Sequence, residues 1–531
     1  MMPCMTDRLI RHVSILAPSI LAFCGATLSL PATFAQSATP ALGIFESQSD
    51  VGAVNPPGTA VYDLAADTYT LTAAGANLWG PVDAFHFLWK KTSGDVTLTA
   101  DIDFPDTLPV TPGEHNPHRK AILIIRQTLD AASAYVDAAQ HGVGLTALQF
   151  RRTQGGITEG IELNIAAPHR LRIEKRGDTF TLYLAPASDP PNAPLHQVGA
   201  SIQLHLEEPF YIGIGLCSHD PNKVEKAVFS HVILEKPAPL PPTLALYSTL
   251  QTIGIEQDFH RAVVAFTTQG HFEAPNWTHD GKTLIFDEAG KIMTVPAAGG
   301  TPQPLDIGDA TGCNGSHGLS PDGQSLAISC STPGKPESRV YIVPLNGGAP
   351  RLITPHPYSY WHSWSPDGKT IIFTRPDHGA GNIFAISVDG GEEHPLTTGA
   401  GISDDPDCSP DGQYIYFNSD RGGSMQIWRM HPDGAAPEQI TNDDYVNWTP
   451  HISPDGKSMV FISYEKGTTG HPANKPIALR IMSLDDRKIR VLFNLTGGSG
   501  TMNVPSWAPD SHHLAFVSYQ MLLAQQTGNS N

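Results

Sequence analysis

One four-residue phrase recurs along the second half of the chain and constrains its fold more than any other feature. It is complete as Ser-Pro-Asp-Gly at 320–323, 365–368, 409–412 and 453–456, and imperfect copies occupy 278–281 and 508–511. The aspartates of successive copies are 42, 45, 44, 44 and 55 residues apart. The phrase is typical of a tight turn because proline fixes φ, aspartate bonds the following backbone and glycine accepts a positive φ. The segment therefore repeats one turn six times.

Short β-rich runs follow each turn at similar offsets. After the third copy they lie at 370–374, 382–388 and 396–397, and after the fourth copy the first two lie at 414–418 and 426–430. Four short strands in every 40–45 residues is the period of a β-propeller blade. A single blade cannot bury both of its faces, whereas a closed ring of blades can. We predict a six-bladed β-propeller over residues 244–520.

The sixth copy of the repeat is incomplete. After the strand-like run at 514–519 few residues remain before the end of the sequence, while unassigned strand-like runs precede the first copy at 246–253 and 260–265. If the early strands complete the last blade, the ring closes and its exposed edges disappear. We therefore expect the first and last strands of this segment to pair.

Composition and strand pattern extend the all-β prediction to the first half of the chain. Gly 49 and Pro 46 are abundant, and charged residues make up only 16% of the sequence. Alternating strand-like runs separated by turns over 41–235 favour an antiparallel β-sandwich. The proline-rich stretch 236–243 is typical of a stiff linker between two domains. We expect the tail, 521–531, to be disordered.

The N-terminus has the pattern of a secretory signal peptide. Arg8 and Arg11 precede an apolar run over 13–30, which Pro18 interrupts, and small residues follow at 31–35. A positive start, an apolar middle and a small-residue exit predict a signal peptide over 1–35 and export to the periplasm or cell exterior. A membrane anchor is the alternative, and Pro18 argues against it. No other segment is apolar enough to be a transmembrane helix.

Charge excludes some partners and cysteine spacing suggests one crosslink. Lys+Arg 33 against Asp+Glu 52 gives a net charge of −19, so nucleic acid and anionic membrane surfaces are not expected partners. Cys313 and Cys330 flank one tight turn. In an exported protein such a facing pair could form a disulfide.

Both halves of the chain resemble known families. The repeated Trp-Ser-Pro-Asp-Gly-Lys phrase at 364–369 and its copies resemble the TolB-type propeller repeat, which also occurs in propellers of prolyl-oligopeptidase-like enzymes and oligogalacturonate lyases. The stretches 80–87, 120–126, 170–175 and 211–220 are similar to concanavalin-A-like or laminin-G-like jelly rolls of secreted bacterial proteins. The resemblance implies a jelly roll followed by the propeller.

Polar residues at one repeat position predict a ligand site at the mouth of the propeller channel. The strand before each turn lines such a channel, and five residues before the aspartate two blades carry His317 and His362 where other blades carry proline. We predict catalytic roles for His317, His362, Asp404 and Asp405. The predicted ligand-binding residues are Glu273, Asn314, Trp361, Asn447, Trp448, His451 and Asn503.

These side chains are compatible with several chemistries. Imidazoles and carboxylates could hold a divalent metal ion, with His317 and His362 as ligands, or act as acid and base on a sugar. They could also be no more than a polar channel lining. The lyase resemblance implies channel histidines that hold a metal, which acidifies the proton beside a uronate carboxylate.

We therefore expect an exported protein that binds or processes oligo- or polysaccharide. The alternatives are a TolB-like platform that docks an envelope protein, and a metal-dependent polysaccharide lyase or glycosidase. If the protein is an enzyme, we expect a carbohydrate-active lyase or hydrolase, since the GxSxG motif of a serine peptidase is missing.

Overall fold

The computed structural model describes residues 42–105, 115–190, 192–239, 244–256, 261–377, 380–399 and 401–523. The predicted signal peptide lies outside these residues, as do positions 240–243 of the predicted linker. All regular secondary structure in the described ranges is β. Within them, no helix is long and apolar enough to cross a lipid bilayer.

Fourteen strands are described before the repeats, and they form two antiparallel layers. The strands are β1 (Ser47–Val51), β2 (Thr59–Asp63), β3 (Thr68–Ala73), β4 (Phe85–Thr92), β5 (Val96–Asp103), β6 (Lys120–Arg126), β7 (Tyr135–His141), β8 (Thr146–Arg151), β9 (Thr158–Glu162), β10 (Arg170–Arg176), β11 (Thr179–Ala185), β12 (His196–Gln203), β13 (Phe210–Cys217) and β14 (Glu225–Glu235). One layer has the order β12-β11-β10-β5-β14-β3-β2 and the other runs β1-β4-β13-β6-β7-β8-β9. Buried side chains of both layers, among them Leu98, Ile173, Leu123 and Leu148, share one core.

A buried ionic network fixes a loop on the outer face of the second layer. The Asp83 carboxylate accepts hydrogen bonds from Arg151 at 2.6 and 3.0 Å and from Arg126 at 3.4 Å. All three side chains are fully buried. Because both buried guanidinium groups are hydrogen-bonded to the Asp83 carboxylate, the loop that carries Asp83 is held tightly against β6 and β8.

Five four-stranded antiparallel sheets follow, each with its strands in chain order. They are β17 (Phe272–Trp277), β18 (Thr283–Glu288), β19 (Lys291–Pro296) and β20 (Gln303–Pro304); β21 (His317–Leu319), β22 (Ser325–Thr332), β23 (Lys335–Pro344) and β24 (Arg351–Leu352); β25 (Tyr360–Trp364), β26 (Thr370–Asp377), β27 (Ala380–Ser387) and β28 (His394–Pro395); β29 (Ser403–Cys408), β30 (Ile415–Ser419), β31 (Gln426–Met430) and β32 (Glu438–Gln439); β33 (Val446–Ile452), β34 (Ser458–Tyr464), β35 (Lys475–Ser483) and β36 (Ile489–Gly497). We number these blades one to five. The all-β propeller prediction is confirmed.

The repeated phrase forms the turn between the first two strands of each blade. In the third blade Ser365 Oγ donates to Asp367 Oδ1 at 2.7 Å and accepts from the Thr370 N–H at 2.9 Å. The Lys369 N–H donates to the same carboxylate at 3.1 Å, and Gly368 has φ +70°. These bonds explain why serine, aspartate and glycine recur together at this turn.

The two ends of the repeat segment meet in three further strands. β15 (Leu244–Gly254) pairs with β16 (Arg261–Gln269) and, over its whole length, with β37 (His513–Leu523). β16 also pairs in parallel with β9, so these strands extend the second layer to ten strands. The expected pairing of the first and last strands is present. Five four-stranded blades are present among the described residues, and the predicted count of six is not confirmed, because the last strands join this larger sheet. β37 runs three residues past the predicted domain end at 520.

Cys313 and Cys330 form a disulfide in the second blade, with their Cα atoms 4.1 Å apart. Cys330 lies on β22 and Cys313 lies in the segment that leads to β21. The bond therefore fastens this segment to the second strand of its own blade. Cys217 and Cys408 are free thiols.

Candidate functional site

The first strands of neighbouring blades contact one another in chain order and surround a common axis. Residues 500–507 close this circle between β33 and β17. The Trp507 indole N–H donates to the His451 carbonyl at 2.9 Å on one side, and Asn276 Nδ2 donates to the Pro505 carbonyl on the other. The predicted site residues lie on these inner strands or directly beside them.

Bulges in the inner strands redirect several of these side chains. The register between the first two strands slips in the first, fourth and fifth blades at residues with positive φ: Ala274 (58°), Asp405 (49°) and Thr449 (54°). Each stands six residues before the aspartate of its turn. A bulge re-aims the side chains around it, and this is how the consecutive residues Asp404 and Asp405 both reach the same neighbour.

That neighbour is His362 of the third blade. Its Nε2 atom lies 3.5 Å from Asp404 Oδ1, and its Nδ1 atom lies 3.5 Å from Asp405 Oδ1. One potential ligand atom from each of the three residues lies within 4.8 Å of the other two. Among the described residues this is the only group of three or more His, Cys, Asp or Glu side chains with that geometry. We call these three residues the His362 cluster.

The electrostatics of the cluster favour a bound cation. Burial, and next the charge of Asp404, raise the pKa of Asp405 well above its usual range. Burial lowers the pKa of His362 to about 4, although Asp404 opposes this effect. His362 is therefore neutral at pH 7, the form in which imidazole binds metals. His362 Nδ1 and Asp405 Oδ2 are buried and form no hydrogen bond among the described residues.

Further polar side chains of the fourth and fifth blades lie close to the His362 cluster. Asp407 Oδ2 accepts from the Ile452 N–H at 2.8 Å and lies 3.8 Å from His451 Nδ1, while His451 Nε2 lies 3.1 Å from the Met502 carbonyl. The centroid of the His471 ring lies 4.5 Å from that of the Trp448 ring, and burial lowers the pKa of His471. Asp407 and His471 were not predicted from the sequence, because Asp407 lies outside the repeat offsets considered and His471 lies in the loop between β34 and β35.

His317 does not belong to the His362 cluster. Its side chain is fully buried, neither ring nitrogen forms a hydrogen bond among the described residues, and burial lowers its pKa to about 4. The metal ion that we predicted to be shared by His317 and His362 stays a prediction, and the residues that the structure brings to His362 are Asp404 and Asp405.

A second acidic pair lies in the first blade. Glu273 on β17 is the cross-strand partner of Asp287 on β18. Burial is the main cause that raises the pKa of each carboxyl to about 7, and the negative charge of Asp287 adds to the effect at Glu273. Asp287 Oδ1 accepts from the Gly290 N–H at 2.9 Å, whereas Oδ2 has no partner among the described residues. Only Glu273 of this pair was predicted.

The two predicted aromatic ligand-binding residues are buried. Trp361 is 1% exposed and packs against Gly318 in the core between blades. Trp448 is 2% exposed and is covered by His471. Stacking on a sugar requires an exposed ring face, and neither ring presents one in this structure.

The three predicted asparagines form local hydrogen bonds. Asn447 is fully buried, and its Nδ2 donates to Gln426 Oε1 at 3.0 Å. Asn314 Nδ2 donates to Ser338 Oγ at 2.9 Å, and Asn503 Oδ1 accepts from the Gly500 N–H at 3.0 Å. These bonds give the asparagines a structural role.

Known proteins match part of the chain. The family model described as the TolB β-propeller domain matches residues 359–522. The uncharacterized protein Atu1656 of Agrobacterium fabrum is 45% identical over 258 residues, which cover 48% of this chain and 87% of that protein. A solved structure from Agrobacterium tumefaciens, provisionally named TolB, is 41% identical, with a TM-score of 0.50 over 53% of this chain and 100% of that one.

Tol-Pal system protein TolB of Francisella tularensis (strain WY96-3418) is a more distant relative. It is 27% identical over 132 residues, which cover 24% of this chain and 30% of that protein. The Atu1656 match has high identity and coverage. Together with the family-model match, it assigns the chain to a family. Through residues of its second half, this chain belongs to the family of TolB-like β-propeller proteins.

Proposed function

We propose that this protein is an exported propeller protein that holds a divalent metal ion in the His362 cluster and uses it to bind an oligo- or polysaccharide. The observation that carries the proposal is the convergence of one neutral imidazole and two carboxylates, with buried atoms that lack partners. One nitrogen and two oxygen donors suit Zn²⁺ or Mn²⁺. Ligand positions left open on such an ion can take hydroxyl or carboxylate oxygens of a sugar.

The same residues supply the groups that turnover would need. Burial raises the pKa of Asp405 well above its usual range, so Asp405 is a candidate proton donor when it is not bound to the metal ion. We therefore keep a metal-dependent lyase or glycosidase as the catalytic form of this proposal. Within it, His362, Asp404 and Asp405 are the catalytic candidates.

Three structural inferences accompany the proposal. We infer a sixth blade made of residues 501–507, β37, β15 and β16, since the bridge between Trp507 and Leu514 joins the inner segment to β37. We infer that the two layers formed by β1–β14 are a concanavalin-A-like jelly roll that contacts polysaccharide. The disulfide between Cys313 and Cys330 favours export, because such bonds persist in oxidising compartments.

Calorimetric titration tests the metal site. The wild type should bind one equivalent of Mn²⁺ or Zn²⁺, and Asp405→Asn and His362→Ala should each weaken binding at least about tenfold. Asp389→Asn removes an exposed carboxylate of the same blade as His362 and should leave affinity unchanged. Equal affinity in all four proteins, or no binding, would refute the site.

A panel of neutral and uronate-containing oligosaccharides then tests the ligand. Binding that disappears with chelator and in Asp405→Asn supports a metal-held glycan, and chelator-sensitive release of unsaturated or shortened products supports catalysis. Metal binding without any glycan binding would leave the ion site in place and contradict the glycan part of the proposal.

A protein-docking role is the second candidate, and the names of the relatives favour it. The Francisella proteins are Tol-Pal system components, so the partner to test is the Pal protein of the same organism. The two β layers formed by β1–β14 would have to be compatible with that complex. Saturable binding of purified Pal to the full chain, unaffected by chelator, would favour docking over the metal-held glycan.

A further inference from the structure

A cavity of about 540 Å³ lies between the two-layered β1–β14 region and the propeller, apart from the His362 cluster. Its volume is typical of a ligand site. Four stretches of consecutive residues line it: 201–203 of β12, 476–478 of β35, 493–496 of β36 and 518–522 of β37. Three of these strands, β12, β36 and β37, are each the last one in their sheet. Three sheet edges therefore converge on one cavity, which we call the edge cleft.

Part of β37 has main-chain groups without strand partners. The N–H groups of Ala515 and Val517 point away from β15 and donate to carbonyls within 501–506. Because strand residues alternate in direction with period two, the N–H groups of Tyr519 and Met521 point the same way. The segment 500–507, which accepts from Ala515 and Val517, does not extend as far as Tyr519 and Met521. Neither of these two N–H groups has a backbone partner on that side among the described residues. These two donors lie about 7 Å apart, the repeat of a β-strand. Met521 is 52% exposed, whereas Tyr519 is fully buried, so the Tyr519 N–H can be reached only from within the cavity that it lines.

The wall of the edge cleft adds a buried polar atom without a partner. Gln251 is 1% exposed, and its Nε2 donates to Ser518 Oγ at 2.7 Å. Its Oε1 atom has no hydrogen-bond partner among the described residues, so this acceptor can take an N–H from a bound molecule. A buried acceptor without a donor is costly, which makes a ligand N–H favourable here.

The edge cleft carries few charges. Arg152 donates to Glu159 at 2.9 Å and to the Gln203 carbonyl at 2.9 Å, so its charge is compensated. Glu465 is the only other charged residue of the lining. The exposed side chains of Val491 and Met521 are apolar. A neutral ligand with alternating polar and apolar groups fits this surface.

We propose that the edge cleft binds an extended peptide segment of a partner protein, which adds to β37 as a further strand. Main-chain hydrogen bonds to Tyr519 and Met521 would provide affinity, and alternate side chains of the peptide would enter the cavity. A free strand edge with evenly spaced donors matches a peptide backbone better than a sugar. The proposal does not depend on a metal ion in the His362 cluster, because none of the three residues lines the edge cleft.

The test begins with a phage library of random twelve-residue peptides, selected on the purified full chain. Synthetic copies of enriched peptides are then titrated against the wild type, Met521→Pro and Met521→Ala. The Met521 N–H faces away from β15, so proline removes the donor for the peptide and spares the ladder to β15. We expect Met521→Pro to weaken binding at least about tenfold and Met521→Ala by less than about threefold.

Two further measurements keep the test independent of the folding of Met521→Pro. Bound peptide should slow hydrogen exchange of the amides at 519–522, and methylation of alternate peptide nitrogens should abolish binding. The proposal is overturned if no peptide is enriched, if the proline and alanine variants bind equally, or if exchange slows only elsewhere. Binding of a neutral oligosaccharide in the edge cleft, insensitive to Met521→Pro, would also overturn it.

Discussion

Glu273 lies directly opposite Asp287 on paired strands of the first blade, and each carboxyl has a pKa raised to about 7. Burial is the main cause of both shifts, and like charges that face each other across a sheet are also unfavourable. The folded protein therefore holds protons there that the unfolded chain releases near pH 4. Tyr519, whose pKa is raised by burial and by Glu273, faces the pair, and Glu288 adds negative charge beside Asp287.

The sign of the pH dependence follows from the direction of these shifts. Below about pH 4 both states are protonated, and as pH rises towards 7 the folded state keeps protons that the unfolded chain has lost, so stability falls. Because Glu273 is partly exposed, we expect wild type to lose only about 1–3 kcal/mol more than the Glu273→Gln/Asp287→Asn variant between pH 5 and pH 8. Urea unfolding of both proteins across this range measures the difference, and parallel stability curves would contradict the prediction.

Asp405→Asn should have opposite effects on stability with and without metal. In the metal-free protein it removes a buried carboxylate beside Asp404, so we expect it to stabilise the fold at pH 8 by about 1 kcal/mol. Asparagine tolerates the φ of +49° at this position. At a metal concentration of about 100 times the wild-type Kd the wild type should gain about 2.7 kcal/mol, and a variant that binds tenfold more weakly or worse should gain at most about 1.4 kcal/mol. Thermal melts of both proteins with and without Mn²⁺ show whether the order of stabilities reverses.

The repeat allowed the propeller to be predicted from the sequence. It did not allow prediction of which functional side chains contact one another. The turn at 365–368 depends only on local hydrogen bonds, so its residues report it directly. The convergence of His362 with Asp404 and Asp405 depends on a bulge in β29, and the positive φ of Asp405 leaves no mark in a single sequence. His317 and His362 occupy equivalent repeat positions, and this suggested that they act together. In the structure, the residues that lie beside His362 are Asp404 and Asp405 of β29, in the next blade.

The sequence also did not indicate that β16 belongs to the ten-stranded sheet. Its pairing with β9 joins residues about a hundred positions apart in parallel, and alternation of apolar residues does not specify a partner. The edge cleft beside β37 depends on this long-range arrangement. The repeat alone could suggest neither the sheet nor the cleft.

The disulfide of the second blade should contribute measurably to stability. It joins residues 17 positions apart, and closing a loop of that length is worth about 3 kcal/mol in the chain-entropy description. We expect Cys313→Ser/Cys330→Ser to lower the free energy of unfolding by about that amount. Reductant should destabilise the wild type similarly and leave the variant unchanged. Two free thiols at these positions in protein purified without reductant would contradict the prediction.

Asp83 should be among the most sensitive positions of the β1–β14 region. Its carboxylate compensates both Arg126 and Arg151, and all three side chains have no solvent exposure. Asp83→Asn removes the carboxylate to which two buried guanidinium groups are hydrogen-bonded, so we expect a loss of about 3–5 kcal/mol in urea unfolding. Asp103→Asn, an exposed position on β5, should change stability by less than about 0.5 kcal/mol.

A triple variant separates the buried charges from the shape of the loop. Replacing Asp83 by leucine together with Arg126→Met and Arg151→Met removes every charge of the network while keeping similar volume. Because breaking a buried ionic network costs more than replacing it with apolar groups, the triple variant should be more stable than Asp83→Asn alone. If it is less stable, the network acts through its specific hydrogen bonds to the loop carbonyls, such as the 2.8 Å bond from Arg151 to Gly80, and charge compensation is not the cause.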